Sequence, residues 1–159
     1  MRALMPGSYD PCTVGHLAVI EAVAARYTAV TVAVFINPKK QGLFSYAERV
    51  QFLRPATAHL PNVEVTFSDG MVADFAKGGG YDRIVKGIRN EEDRRYEEEM
   101  ASYNLARGGV PTELITAAPS LSAISSTAVR AALTEGRSLK GLVPEAAAPA
   151  IAAAFAKRA

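Results

Sequence analysis

Residues 29–36 read Ala-Val-Thr-Val-Ala-Val-Phe-Ile, an apolar run rich in β-branched side chains and closed by Asn37-Pro38. Such a run, apolar on both alternating faces, is a strand buried on both sides, the habit of parallel sheets covered by helices. Immediately upstream, residues 15–27 place Leu17, Ile20, Val23 and Ala24 on one helical stripe. Before that helix, Ala3-Leu4-Met5 is a short apolar run stopped by Pro6-Gly7, a first strand.

The alternation continues downstream. Ser45 and Glu48 form a capping box that opens a helix carrying Val50 and Leu53 to the core, and Pro55 predicts a kink or restart there. Residues 63–67 make a third strand, and 71–77 a short helix ended by Gly78-Gly79-Gly80. Residues 83–86 make a fourth strand entering Gly87-Ile88-Arg89, and 114–117 a fifth. Between them, 91–107 form a charged helix whose Tyr96, Met100 and Tyr103 give the buried stripe. Helices follow from Ser126, and the Ala-rich stretch 146–156, with Ile151 and Phe155, suits a terminal helix starting near Pro144 or Pro149. The expected fold is a three-layer, Rossmann-like α/β domain with a mostly parallel five-stranded sheet and C-terminal helices. Such sheets bind ligands at the carboxyl ends of the strands, near the point where strand order reverses. The loops of interest are therefore 6–16, 37–42, 68–72, 86–90 and 118–127.

Composition bounds the function. The 159 residues suit one domain spanning 1–159, and at 49% hydrophobic and 21% charged the chain is neither disordered nor fibrous. Lys plus Arg number 18 against 16 Asp plus Glu, a balance that argues against bulk nucleic-acid binding. No apolar segment is long enough for a membrane span, and residues 1–6 read as no signal peptide. The single cysteine, Cys12, makes no internal disulfide, lacks metal-site spacing and reads as a small packing residue. The expected compartment is a reducing cytoplasm.

The first loop carries the chemistry: Pro6-Gly7-Ser8-Tyr9-Asp10-Pro11-Cys12-Thr13-Val14-Gly15-His16 lies between a strand and a helix. Gly7 permits positive φ, Ser8 offers a hydroxyl and an amide, and Gly15 lets a backbone approach. The dipole of the following helix favours phosphate, and His16 in its first turn can donate to a phosphate oxygen. On these residues alone, an ordinary turn with Thr13 as helix cap explains the loop equally well. His59, at a helix end, reads as structural.

The stretch Gly-Ser-Tyr-Asp-Pro-Cys-Thr-Val-Gly-His resembles the G-[ST]-F-D-P-x-[HT]-x-G-H signature of the nucleotidyltransferase superfamily, with Tyr9 for the usual Phe. Further segments are similar to the bacterial phosphopantetheine adenylyltransferases. Asn37–Ser45 looks like their N-P-x-K-x-x-x-F segment, and Val85-Lys86-Gly87-Ile88-Arg89 like their [VI]-[KR]-G-[LI]-R loop. Asp93, Tyr96, Glu97, Met100 and Asn104 fit D-x-x-Y-E-x-x-M-x-x-x-N, and Ile124-Ser125-Ser126-Thr127 fits I-S-S-[ST]. Three features depart. Arg94-Arg95 replaces Phe-Glu, Leu121-Ser122-Ala123 replaces an aromatic-Ser-aromatic stretch, and the run from Ser125 to Arg130 also resembles the nicotinate-mononucleotide enzymes.

The resemblance implies in-line attack by the 4′-phosphate of phosphopantetheine on the α-phosphorus of ATP, giving dephospho-coenzyme A and pyrophosphate. It implies His16, Lys40 and Arg89 as the catalytic donors. ATP contacts fall on Ser8, Tyr9, His16, Gly87, Ile88, Arg89, Glu97 and the 121–127 loop (Leu121, Ser122, Ala123, Ile124, Ser125, Ser126, Thr127). Phosphopantetheine contacts fall on Ser8, Lys40, Val72 and Lys86. It also implies Mg2+ carried with ATP, with no metal residue assigned, and a homohexamer. Two other readings compete: an enzyme using nicotinate mononucleotide, and a nucleotide-binding regulatory module whose site has decayed. The second competitor is at odds with the presence of His16, Lys40 and Arg89 together.

Overall fold

The computed structural model describes residues 1–37, 39 and 42–158. Along the chain run β1 (Arg2–Gly7), α1 (Val14–Ala24), β2 (Ala29–Phe35), α2 (Tyr46–Thr57), β3 (Val63–Ser68), α3 (Val72–Gly78), β4 (Arg83–Ile88), α4 (Glu91–Gly108) and β5 (Thr112–Thr116). A short 3-10 turn (Pro119–Leu121), α5 (Ser126–Thr134) and α6 (Ala148–Ala156) complete it. Among the described residues the five strands form one sheet in the order β3-β2-β1-β4-β5, and every pair is parallel.

Alternating side chains divide the core between the two faces of this sheet. Ala3, Met5, Val30, Val32, Val34 and Val85 pack with Ile20 of α1, Phe52 of α2, Val129 of α5 and Ile151 of α6. Their neighbours Leu4, Ala33 and Ile84 point the other way, into a smaller core with Ala76 of α3, Tyr81 and Val110. Helix, sheet, helix: the three layers follow from a period of two in β1, β2 and β4. Burying the strands on both faces is why residues 29–36 are apolar without alternation.

Strand order reverses between β1 and β4. There the pairing covers only Ala3↔Arg83 and Leu4↔Ile84, although the strands continue to Gly7 and Ile88. Beyond those pairs the two strands part. Pro6 sits at the split: it has no N–H to offer β4, and its carbonyl accepts from Lys86 Nζ at 3.0 Å. The crevice expected for such a sheet opens at this split.

Several local expectations are met and two are corrected. Ser45 Oγ accepts from Glu48 N while Glu48 accepts from Ser45 N, a reciprocal capping box. Pro55, by contrast, does not restart α2, which runs unbroken through Thr57. The carbonyl deprived of a donor there belongs to Gln51, an exposed residue. On α4 the expected buried stripe fails, since Tyr96 is 61% exposed and Tyr103 45%, with Asn104 the buried position. Tyr96, Met100 and Asn104 of this helix line a cavity instead.

Candidate active site

Two cavities meet at the β1–β4 split. The first, about 320 Å3, is lined by the phosphate loop, by Lys86 to Arg89, by Asp93 and Glu97, and by Leu121 and Ile124 to Thr127. The second, about 700 Å3, is lined by Asn37, Asp69 to Val72, and by Tyr96, Met100 and Asn104 of α4. Pro6, Gly7, Ser8, Lys86 and Glu97 line both. A ligand in one chamber therefore meets a ligand in the other beside Ser8 and Lys86.

The loop between β1 and α1 is built around Tyr9. Its φ of 46° lies in the left-handed region, while Gly7 does not. Gly7 is needed for space instead: a Cβ there would lie 2.9 Å from the Tyr9 ring. The expected positive φ thus falls two residues later, on a residue held by its side-chain contacts. Tyr9 is buried, its hydroxyl donates to Met5 O at 3.0 Å, and its ring meets His16 edge-on at 4.9 Å. Burial and the neighbouring Cys12 raise the Tyr9 phenol well above its ordinary range. A Cβ on Gly15 would meet Leu121 O and Ile124 O only at 4.0 and 3.9 Å, so no backbone approach demands a glycine there.

His16 has a defined tautomer. Thr13 caps α1, accepting from His16 N at 3.2 Å, and the backbone N–H of Thr13 donates to His16 Nδ1 at 3.0 Å. An accepting Nδ1 leaves the proton on Nε2. Burial, then the positive charges of Lys86 and Arg89, push the imidazole down to about 4. At neutral pH it is therefore an uncharged N–H donor on the cavity wall. The cap and the donor, alternatives in the sequence, are one device.

Carboxylates hold the flanking cations. Lys86 Nζ lies 3.6 Å from Glu97 Oε1. Arg89 Nε lies 3.2 Å from Asp93 Oδ2, which also accepts from Arg89 N at 3.0 Å. Its carboxylate partner is thus Asp93, four residues on. Glu97 lies in the wall rather than on a solvated face. Gly87 belongs to β4 and packs on α1, where a Cβ would stand 3.1 Å from Val19 Cγ2.

The 121–127 loop splits. Leu121, Ile124, Ser125, Ser126 and Thr127 line the first cavity, whereas Ser122 and Ala123 do not. Ser125 caps α5 by accepting from Ala128 N at 3.1 Å, and Ser126 Oγ donates to Pro11 O at 2.8 Å. The first amides of α5 and their dipole thus face the same space as His16. Val72, at the start of α3, lines the second cavity. Tyr96 and Met100, expected in the core, line that cavity too. Lys40 lies outside the described residues.

Sequence reading missed the side chains that hold these loops together. Arg130 donates to Asp10 O at 2.8 Å and to Thr127 Oγ1 at 3.0 Å, joining α5 to the phosphate loop. Arg49 and Asp10 form a buried ion pair at 3.3 Å. A charged residue on the apolar stripe of α2 was the available signal for Arg49; Asp10 stands in the Gly-Ser-Tyr-Asp-Pro signature, which does not show what it pairs with. Among the described residues no group of three or more His, Cys, Asp or Glu side chains is placed to hold a metal ion. Cys12 is buried, which pushes its thiol up to about 12, so it stays protonated at neutral pH.

The cytidylyltransferase-like family model matches residues 4–132. Among curated proteins, the chain is similar to the phosphopantetheine adenylyltransferase of Symbiobacterium thermophilum. Identity is 41% over 158 residues, covering 99% of this chain and 98% of that protein. The family match runs from β1 into α5 and includes every residue that lines the first cavity.

Proposed function

The chain belongs to the phosphopantetheine adenylyltransferases, within the cytidylyltransferase-like family, and from that premise we propose how its residues carry the transfer of AMP from ATP to 4′-phosphopantetheine. ATP occupies the first cavity, with its β- and γ-phosphates at the amides that open α5. Phosphopantetheine lies in the second, its arm along Val72 and its 4′-phosphate at the shared wall of Ser8 and Lys86. An oxygen of that phosphate attacks the α-phosphorus of ATP. One P–O bond forms, the bond to the β-phosphate oxygen breaks, and pyrophosphate leaves with the bonding pair.

The observation that carries this reading is His16, its tautomer fixed by the Thr13 N–H, lining one cavity with Lys86 and Arg89 at the strand-order switch. Phosphoryl-type transfer asks the protein mainly for positioning and for donors aimed at growing charge. His16 Nε2–H supplies a donor to the α-phosphate oxygens that keeps its proton. Arg89, held by Asp93, and Lys40, assigned by its place in the Asn37–Ser45 segment, supply positive charge from two further loops. Glu97 meets the ribose. The carboxylates lining the first cavity are engaged with Arg89 and Lys86, so Mg2+ enters as part of the ATP substrate, held by phosphate oxygens.

A homohexamer in the cytoplasm is part of the same reading. The exposed side chains of Tyr103, Leu105 and Phe67 support assembly through α4 and β3. No helix among the described residues is long and apolar enough to cross a membrane. The deciding experiment measures pyrophosphate release from ATP and Mg2+ with a panel of acceptors. Release is fast with 4′-phosphopantetheine and slow or absent with nicotinate mononucleotide. The reverse order transfers the assignment to the nicotinate-mononucleotide enzymes.

A further inference from the structure

Leu43 and Phe44 precede α2 and belong to no helix or strand, yet charged side chains bind all four of their backbone polar groups. Asp10 accepts from Leu43 N through Oδ2 at 2.8 Å and from Phe44 N through Oδ1 at 2.9 Å. Arg49 Nε donates to Phe44 O at 2.8 Å, and Arg158 Nε donates to Leu43 O at 2.9 Å. Arg49 reaches further: its Nη1 donates to Ser8 O at 3.2 Å, and Ser8 lines both cavities. Asp10 and Arg49 are only 6% and 8% exposed.

Burying an ion pair is a poor way to gain stability, because desolvation offsets most of the attraction. What it does give is fixed geometry, since a planar guanidinium forks rigidly toward two acceptors. Here the fork joins Ser8 of the phosphate loop to Phe44, which ends the segment begun at Asn37 on the wall of the second cavity. Gly42 fits the same device: a Cβ there would run into the Arg49 guanidinium and stand 2.7 Å from Asp10 Oδ2.

We infer that Asp10 and Arg49 are positioning residues that set residues 42–44, ahead of α2, against the phosphate loop, fixing the acceptor phosphate for in-line attack. This rests on the function proposed above for the two cavities. Loss of the device misplaces the acceptor while leaving the nucleotide cavity standing. Displacement of about 1 Å costs up to ~10²-fold in rate.

The test compares Asp10→Asn, Arg49→Lys and Gly42→Ala with the unaltered protein. The acceptor is whichever of 4′-phosphopantetheine and nicotinate mononucleotide the unaltered protein turns over, so failure of the functional reading shows there and not in the variants. Expected are ATP Kd values within about threefold of the unaltered protein, acceptor KM raised at least about tenfold, and kcat lowered about 10- to 100-fold. Gly42→Ala, at an exposed position of ordinary backbone conformation, keeps the test alive should the charge variants fold poorly. Arg49→Lys keeps the charge but cannot fork, so it fails to rescue; a lysine variant with unaltered kinetics overturns the inference. So does equal weakening of ATP and acceptor, which marks a general loss of structure. Independently of activity, amide exchange at Leu43 and Phe44 is slow in the unaltered protein and fast in Asp10→Asn, with β1 unchanged. Unprotected amides in the unaltered protein overturn the inference as well.

Discussion

The backbone N–H of Thr13 donates to His16 Nδ1 at 3.0 Å while Thr13 Oγ1 accepts from His16 N at 3.2 Å. This reciprocal pair starts α1 and, in the same geometry, commits the histidine's proton to Nε2. A residue that caps its own helix in this way has no rotamer freedom left to spend on binding. The donor is preorganised before any nucleotide arrives, the condition under which an electrostatic contact lowers a barrier most.

Replacing His16 by Ala therefore leaves ATP affinity near normal and lowers kcat by at least about a hundredfold. An interaction that strengthens as charge grows on the α-phosphate appears in kcat rather than in ground-state binding. Steady-state kinetics with calorimetry of ATP decide it; a variant that retains most of its kcat removes His16 from the mechanism.

Stability depends on pH through the same ring. His16 is held at about 4 against an ordinary 6.5, first by burial and then by Lys86 and Arg89. Between those values the unfolded chain takes up a proton that the folded chain refuses. Its contribution to stability is thus full above about pH 6.5 and declines as pH falls toward 4. In His16→Asn the fall in Tm between pH 7 and 4.5 is smaller than in the unaltered protein. Superimposable Tm–pH curves contradict the assignment.

Lys40→Ala behaves differently from His16→Ala. A charge on a flexible stem holds the acceptor phosphate in the ground state as well as the transition state. The acceptor KM rises along with a loss of kcat, and an unchanged KM removes Lys40 from acceptor binding.

Leu121 lines the first cavity, whereas Ala123 does not, and the family pattern that the chain resembles implies an aromatic ring at each of the two positions. Base–aromatic stacking is worth ~1–3 kcal/mol in single-strand binders. Leu121→Tyr accordingly tightens ATP by about fivefold or more by calorimetry, and Ala123→Tyr changes little. Unchanged affinity in Leu121→Tyr assigns the ring to packing.

His59→Ala is the control. His59 Nε2 lies 2.8 Å from Glu21 Oε2 in a contact that is about half exposed on both sides. Such pairs contribute about 0–1 kcal/mol, so Tm shifts slightly and the kinetics stay as they are. A kinetic change would show long-range coupling from the far side of α1.

The sequence alone determined what is local or periodic. The unbroken apolar run at 29–36 specified a doubly covered parallel strand. Ser45 and Glu48 specified a helix start, and the loop from Gly7 to His16 carried a helix cap and a signature that resembles the nucleotidyltransferases, because backbone geometry within a few residues depends on those residues themselves. Tertiary structure decided whatever needed a distant partner. Tyr96 and Met100 have the spacing of a core stripe, yet they line a cavity that Asn37 and residues 69–72, distant in sequence, close from the other side. Tyr9 takes the positive φ expected of Gly7 because the Met5 carbonyl and the His16 ring hold its side chain. Asp10 and Arg49 stand 39 positions apart, and no pattern of spacing pairs them. What joins them is the loop before α2, whose Leu43 and Phe44 belong to no strand or helix, so that buried charge serves their backbone groups instead.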